Sequence, residues 1–378
     1  MKSCSDEDSN TGDRSKMPLP WILRRYRDGD EQAILELLNT AFGKWHSLKY
    51  WKWWYTQNPA GSSVIWLAEC DHKIIGHYGI VPITMKVGDA YVTGSFACDA
   101  AVHPDYQGKG LFSSIVNRMC LDAAENCIPL TYGFANTNSG PTYRRYERMG
   151  HVCFMIRMIR ILDWEPLLSR LIRNECLAGT AATALRKLRR PESARASFAV
   201  ETLSRFDERI DELWETLSNS YKLIVRRDLL YLNWRYVAHP EKDYTIYAAV
   251  KDHRILGYCI LAREQRQNLR LGVVVDILGR PNVVDYLIRT AVQRFEQQGV
   301  HAVSAMMSER HPYTALFRRA GFIMQRPRNP ALYVAINLPC SPIDEKEVYS
   351  QSLLLSQNRL LKEKSNWFMM SGDSDWPL

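Results

Sequence analysis

Apolar positions along the chain change period several times, and each change predicts an element. Residues 31–42 carry helical apolar spacing and lead into an aromatic stretch, Tyr50-Trp51-Lys52-Trp53-Trp54-Tyr55, that stops before Pro59. Two β-rich runs follow, 64–69 and 74–80, joined by Asp71-His72-Lys73. A short polar run with Asp between β-branched segments predicts a hairpin. A further β-rich run, 95–102, ends at Pro104 and a polar turn with two glycines. Apolar residues then recur at helical spacing: Leu111, Phe112, Ile115, Val116 and Met119. This order is strand, glycine turn, helix.

The early pattern returns later at a constant offset of 181 residues. Tyr50 to Tyr55 reappears as Tyr231-Leu232-Asn233-Trp234-Arg235-Tyr236 before Pro240, and Asp71-His72-Lys73-Ile74-Ile75-Gly76 as Asp252-His253-Arg254-Ile255-Leu256-Gly257. A helical pattern at 210–217 and strands at 245–250 and 255–262 complete the second copy. One offset across separate segments argues for tandem units of common origin. The chain therefore divides into a polar lead-in (1–18), a first domain (19–162), a helical linker (163–200) with breakers at Gly179 and Pro191, a second domain (201–339) and a tail (340–378). One short amphipathic helix is expected over 348–361, and the last dozen residues are expected to be loose.

Length and composition alter this picture little. A chain of 378 residues suits two domains, and 46% hydrophobic with 24% charged residues is ordinary globular composition. No apolar run approaches the roughly 18 residues a membrane helix needs, and the N-terminal segment has no apolar core of a signal peptide. Nine cysteines, with neither a Cys-x-x-Cys pair nor a zinc-spaced Cys/His cluster, read as reduced, buried side chains in a cytoplasmic protein without a bound metal. A formal net charge of +8 suits anionic partners but is only mildly basic. The one dense basic cluster, Leu185-Arg186-Lys187-Leu188-Arg189-Arg190, reads as the polar face of a short helix. No nucleic-acid or membrane partner is expected.

The glycine turn is where chemistry concentrates. Backbone N–H groups of such a turn and of the following helix start converge on one point and make an anion site. Val102-His103-Pro104-Asp105-Tyr106-Gln107-Gly108-Lys109-Gly110-Leu111 contains the pattern Val-x-Pro-x-x-Gln-Gly-Lys-Gly. It resembles the acetyl-CoA pyrophosphate loop of the GCN5-related N-acetyltransferases (GNAT). Asn138, then Tyr146, then Gly150 is similar to that family's Asn…Tyr-x-x-x-Gly motif. The resemblance covers roughly residues 20–160. It implies an α/β fold of two tandem GNAT-like domains, each a mixed, mostly antiparallel sheet flanked by helices.

It also implies acetyl-CoA held by Val102, Gln107, Gly108, Lys109, Gly110, Leu111, Asn138 and Tyr143, with Tyr146 as general acid. Asp105 stands where the family often has Gln or Arg. Tyr143, one helical turn earlier, competes with Tyr146, and Asn136 competes with Asn138. Either Asn138 or Ser139 would also cap a helix over 141–149. The general base is not readable: Asp99 is one candidate, with His77, His103, Glu69 or a base acting through water as alternatives. The second copy lacks Gln-Gly-Lys-Gly, has Pro281 in the corresponding turn and has Phe317 in place of the tyrosine. It is expected to be degenerate and not to bind CoA. Its Asp276 matches Asp99, so a structural role for Asp99 stays open. The tryptophans of 51–54 suit core packing, or stacking on a sugar.

The function implied is acetyl transfer to the amine of a small polar acceptor, an amino sugar being one candidate. A protein or peptide acetyltransferase and a non-catalytic acyl-CoA binder are the alternatives. The oligomeric state is not readable.

Overall fold

Strand order in the sheet departs from chain order, and that departure builds the site. The computed structural model describes residues 21–43, 46–126, 128–145, 149–165, 168, 197–326, 330–337 and 358–374. The lead-in 1–18, nearly all of the linker 163–200 and most of the tail helix expected over 348–361 lie outside these residues.

The first half runs β1 (Ile22–Arg25), α1 (Glu31–Phe42), α2 (Leu48–Thr56), β2 (Val64–Cys70), β3 (Lys73–Val87), β4 (Ala90–Val102), α3 (Leu111–Glu125), β5 (Leu130–Ala135), α4 (Gly140–Tyr143) and β6 (Met149–Ile161). The second runs β7 (Ala199–Leu203), α5 (Arg209–Leu217), β8 (Leu223–Val225), α6 (Leu229–Leu232), a π-helical turn (Asn233–Val237), β9 (Thr245–Lys251), β10 (Arg254–Arg266), β11 (Leu269–Gly279), α7 (Pro281–Gln297), β12 (Ala302–Ser308), α8 (Thr314–Arg319), β13 (Ile323–Gln325) and β14 (Ala331–Ile336). The tail adds α9 (Asn358–Lys362) and β15 (Trp367–Phe368). The helix expected over 141–149 ends sooner, because Met149 already pairs as a strand with Ala335.

Both expected hairpins form. Asp71 (φ 48°) and His72 (φ 60°) join β2 to β3, and Asp252 (φ 50°) and His253 (φ 63°) join β9 to β10. A two-residue loop with both residues left-handed matches the twist of its flanking strands. The main sheet path is β1-β2-β3-β4-β5-β14-β6-β12-β11-β10-β9-β7. β14, late in the chain, inserts between β5 and β6. Beyond Phe154, β6 crosses the seam and pairs with β12. Each half thus completes its sheet with a strand from the other, which removes two exposed edges.

The aromatic repeats meet at the seam. Trp53 donates its indole N–H to the Trp234 carbonyl at 3.0 Å, and Trp234 donates to the Trp53 carbonyl at 3.3 Å. Their rings stack with centroids 5.1 Å apart. These residues occupy the same place in the two repeated segments, so the contact is reciprocal in the manner of an isologous interface. Trp51, Trp53 and Trp54 are all buried, which favours packing over sugar stacking.

The expectation of a loose tail is overturned. Residues 367–374 are buried throughout. β15 pairs with β8, the Ser308 N–H donates to the Met369 carbonyl, and Met370 bridges Met307. Trp367, Phe368, Met369 and Met370 supply apolar area that a solvated tail would waste. Gly372 is required there, because the Tyr236 hydroxyl occupies the place of a Cβ.

Candidate functional site

Two parallel strands that begin paired and then part create the site. β4 and β5 pair over Ser95↔Thr131, Phe96↔Tyr132 and Ala97↔Gly133. β4 then continues to Val102 without β5, so its backbone groups face an open wedge. A bulge widens it: between His77↔Ala101 and Gly79↔Cys98, Tyr78 alone opposes Asp99 and Ala100. Asp99 has φ 53°.

Below the wedge, β4 passes through a short 3-10 turn into α3. Gly108 (φ 74°) and Gly110 (φ 83°) are left-handed, and no heavy atom lies within 4 Å of a Cβ built on either. The turn therefore faces open space that a side chain would fill. Gly110 is the N-cap of α3, so the N–H groups of its first turn have no intrahelical acceptor. Gln107 is braced by a 3.2 Å bond from its Nε2 to the Val102 carbonyl. The Lys109 ammonium sits 5.2 Å from the Tyr106 ring centroid. Asp105, the unfavourable charge beside an anion, has an exposed side chain facing His103 at 3.6 Å. A diphosphate fits this turn.

One cavity of about 930 Å³ joins the turn, the wedge and the seam. Val102, Gln107, Gly108, Gly110, Leu111, Asn138, Tyr143 and Asp99 all line it. Lys109 flanks the same turn. Tyr146 lies outside the described residues. The Asn136 side chain accepts the N–H groups of Asn138 and Ser139, each at 2.9 Å. It therefore organises the entry to α4, while Asn138 is exposed beside the cavity. The Tyr143 hydroxyl donates to Tyr78 at 3.2 Å, and its ring packs 5.7 Å from Tyr333 of the exchanged strand β14.

The base candidates separate by environment. Asp99 Oδ2 accepts the Tyr55 hydroxyl at 2.6 Å. Burial drives the Tyr55 phenol well above its ordinary range, so Tyr55 remains a donor. His77 is buried, its Nδ1 bonded to the Asp99 carbonyl at 2.7 Å, and burial lowers its pKa to about 4. It is neutral at pH 7 and does not line the cavity. Glu69 is held by Arg24 at 2.5 Å on β2, and His103 lies outside the cavity wall.

Several cavity residues come from places where sequence patterns carry no signal. His46, between α1 and α2, pairs its Nδ1 with Glu241 of the second half and stacks on Tyr50, ring centroids 3.7 Å apart. Burial lowers the His46 pKa despite that carboxylate. Arg235, His239, Lys242 and Tyr244 close the far end. Only Arg235 sat in a segment that the repeat singled out.

The second half has an equivalent wedge, and it is filled. β11 pairs with β12 over Leu271–Val274 and then continues alone. The tail lies there: Ser371 Oγ donates to the Val275 carbonyl at 3.1 Å beside the Met307–Met370 bridge. Asp276 is locked by the fully buried Arg227, which also binds Asp373 at 2.8 Å. α7 begins at Pro281 directly after β11, with no glycine turn and one fewer N–H.

Among the described residues, no helix is long and apolar enough to cross a membrane, and no group of three or more metal-ligating side chains occurs. Comparison with known proteins agrees with the geometry. Residues 23–150 match the model of the acetyltransferase (GNAT) domain. No curated protein sequence matches the chain. A GCN5-related N-acetyltransferase from Anabaena variabilis superposes with a TM-score of 0.62 at 14% identity, covering 84% of this chain and 72% of that one. A probable N-acyltransferase from Enterococcus faecalis gives 0.62 at 12% identity, covering 84% and 73%. Saccharomyces cerevisiae N-myristoyltransferase with bound myristoyl-CoA gives 0.59 at 12%, covering 85% of each chain. Residues 23–150 thus carry the match to the acetyltransferase (GNAT) domain, and the chain as a whole shares its fold with these solved structures.

Proposed function

We propose that the chain is an acyl-CoA-dependent N-acyltransferase that moves an acetyl group from acetyl-CoA to the amine of a small polar acceptor. The observation that carries this reading is the single cavity leading from the glycine turn, through the wedge between β4 and β5, to polar residues of the second half. An acyl-CoA supplies an activated thioester. The chain must hold its diphosphate, align its arm, keep the amine neutral and return a proton to the thiolate.

The N–H groups of the turn at 108–110 and of the first turn of α3 suit the diphosphate, with Lys109 adding charge; the Gln107 N–H is already given to the Pro104 carbonyl. The stretch of β4 beyond Ala97, which no longer pairs with β5, suits the pantetheine arm and the thioester carbonyl, and Asn138 lies beside the same channel. Asp99 and His46 both line the cavity and are candidate acceptors of the amine proton. His46 resembles a base oriented by a carboxylate, Glu241, on its other nitrogen. Tyr146 is the proposed acid, since a phenol's proton affinity matches a thiolate's. The filled wedge and missing turn of the second half favour one CoA site per chain.

Calorimetry with acetyl-CoA tests this directly, together with turnover over an amine panel that includes amino sugars. One site per chain is expected. Gly110→Asp should abolish binding, because it forces a side chain and a negative charge into the left-handed position at φ 83°. Two equal sites, or unimpaired binding by that variant, would contradict the assignment.

A further inference from the structure

The far end of the cavity carries two cations, Arg235 and Lys242, that form no ion pair among the described residues; Glu264 and Glu241 act on Lys242 only from a distance. Arg235 is 7% exposed and its guanidinium carbon lies 5.1 Å from the Trp54 ring centroid. Its Nε donates to the Gly372 carbonyl at 3.0 Å and its Nη2 to the Ser374 carbonyl at 2.9 Å. Its Nη1 makes no hydrogen bond among the described residues, and no described carboxylate pairs with it. The π-helical turn of Asn233–Val237 holds this arginine in place, an irregularity often found at functional sites. Lys242 is half-buried and likewise forms no ion pair among the described residues. Burial and then Arg235 lower its pKa. A buried cation without a counter-charge is costly unless a ligand supplies one.

His239 adds a neutral donor. Its Nδ1 accepts the backbone N–H groups of Glu241 and Lys242 at 3.2 and 3.1 Å, so the ring proton belongs on Nε2. Burial and Arg235 lower its pKa to about 3, which keeps it neutral. The nearby carboxylate of Glu241 is already engaged by His46 and the Ser47 N–H.

On the acyltransferase reading above, we propose that the acceptor carries a carboxylate as well as its amine, as a free amino acid does, and that Arg235, Lys242 and His239 bind that carboxylate. The three donors come from one short segment of the second half and face a cavity whose other end suits the diphosphate of CoA. An acceptor anchored there directs its amine toward the wedge. Separate single donors suit a carboxylate, with its two oxygens, better than a neutral sugar hydroxyl.

The test uses the full chain in two independent measurements. In the first, free amino acids are compared with their carboxamides, and with O-phosphoethanolamine, as acceptors for acetyl-CoA. Acids should exceed amides in kcat/KM by about 10- to 100-fold, the range for one charge-assisted hydrogen bond. Lys242→Met should erase most of that ratio by raising KM for the acids alone. This variant is preferred to one at Arg235, which also holds the tail. In the second, a panel of N-acetyl amino acids and their amides is titrated calorimetrically into the CoA-loaded chain, so binding is read without turnover. Equal affinity for acids and amides, an acid preference that survives Lys242→Met, or preference for the phosphate overturns the proposal. Turnover of neutral amines alone would overturn it and leave the acyltransferase reading standing. No turnover with any amine, alongside selective acid binding, would overturn the acyltransferase reading instead.

Discussion

Replacing Arg227 with methionine keeps an unbranched apolar stem and removes the guanidinium and its charge. Arg227 is fully buried, with Nε and Nη2 on Asp276 at 3.2 and 3.3 Å, Nη2 on both Asp373 oxygens at 3.0 and 2.8 Å, and Nη1 on the Val225 carbonyl at 2.7 Å. In the variant, Asp276 keeps the Tyr258 hydroxyl and the Ile277 N–H, and Asp373 keeps the Met370 N–H. Two buried carboxylates then lack a cation. Breaking such a pair costs about 3–5 kcal/mol, a large share of the roughly 5–15 kcal/mol that holds a domain folded. Burial and Asp276 already raise the Asp373 pKa. Losing Arg227 raises it further, above its unfolded value, so the variant's deficit should shrink as pH falls from 8 toward 5 and the acid takes a proton. The tail is the element released, and with it the carbonyls of Gly372 and Ser374 that hold Arg235. Urea denaturation should report the loss of stability, and hydrogen exchange should report faster exchange at 367–374. Acceptor KM should rise while CoA affinity stays within about twofold, because the glycine turn makes no contact with this triad. Making both aspartates asparagine in the same variant should recover much of the loss. An R227M chain within about 1 kcal/mol of its parent, with tail protection intact, would refute the reasoning.

Two further outcomes are expected. Tyr146→Phe should lower kcat by about 10²–10⁴-fold with CoA affinity nearly unchanged, whereas Tyr143→Phe should cost only about 1 kcal/mol of stability through its lost bond to Tyr78. Steady-state kinetics of both variants decides, and a reversed order would remove Tyr146 from the mechanism. The His77 pKa is about 4, against 6.5 for the free side chain, so the unfolded chain binds a proton there that the folded chain refuses. Stability is unaffected above about pH 6.5, falls between 6.5 and 4, and levels below, a loss on the order of 3 kcal/mol. Urea midpoints from pH 7.5 to 4.5 should drop less steeply in His77→Asn, and parallel curves would exclude His77 as a source.

Much of the first half was legible because its signals are local. The turn carries glycines at 108 and 110 because the backbone there is left-handed, and the Asp-His pair of each hairpin marks two left-handed residues in a row. The period change at Leu111 marks the start of α3 because one face of that helix packs on the sheet. The second half of the cavity was not legible. His46 and Glu241 stand 195 positions apart, and neither lies in a periodic segment. Tyr55, which holds Asp99, reads as one more aromatic in a buried helix.

The sequence by itself determined the local elements and the glycine turn, since each depends on residues within a few positions of one another. Tertiary structure decided what those elements share. It gave β14 to the first half and the end of β6 to the second, because a strand edge pairs with whatever backbone reaches it. It drew residues 367–374 into the second wedge, because four large apolar side chains and Asp373 gain more from burial against β8, β12 and Arg227 than from water. It also set Arg235, His239 and Lys242 opposite the glycine turn, a juxtaposition that only the packing of one half against the other produces.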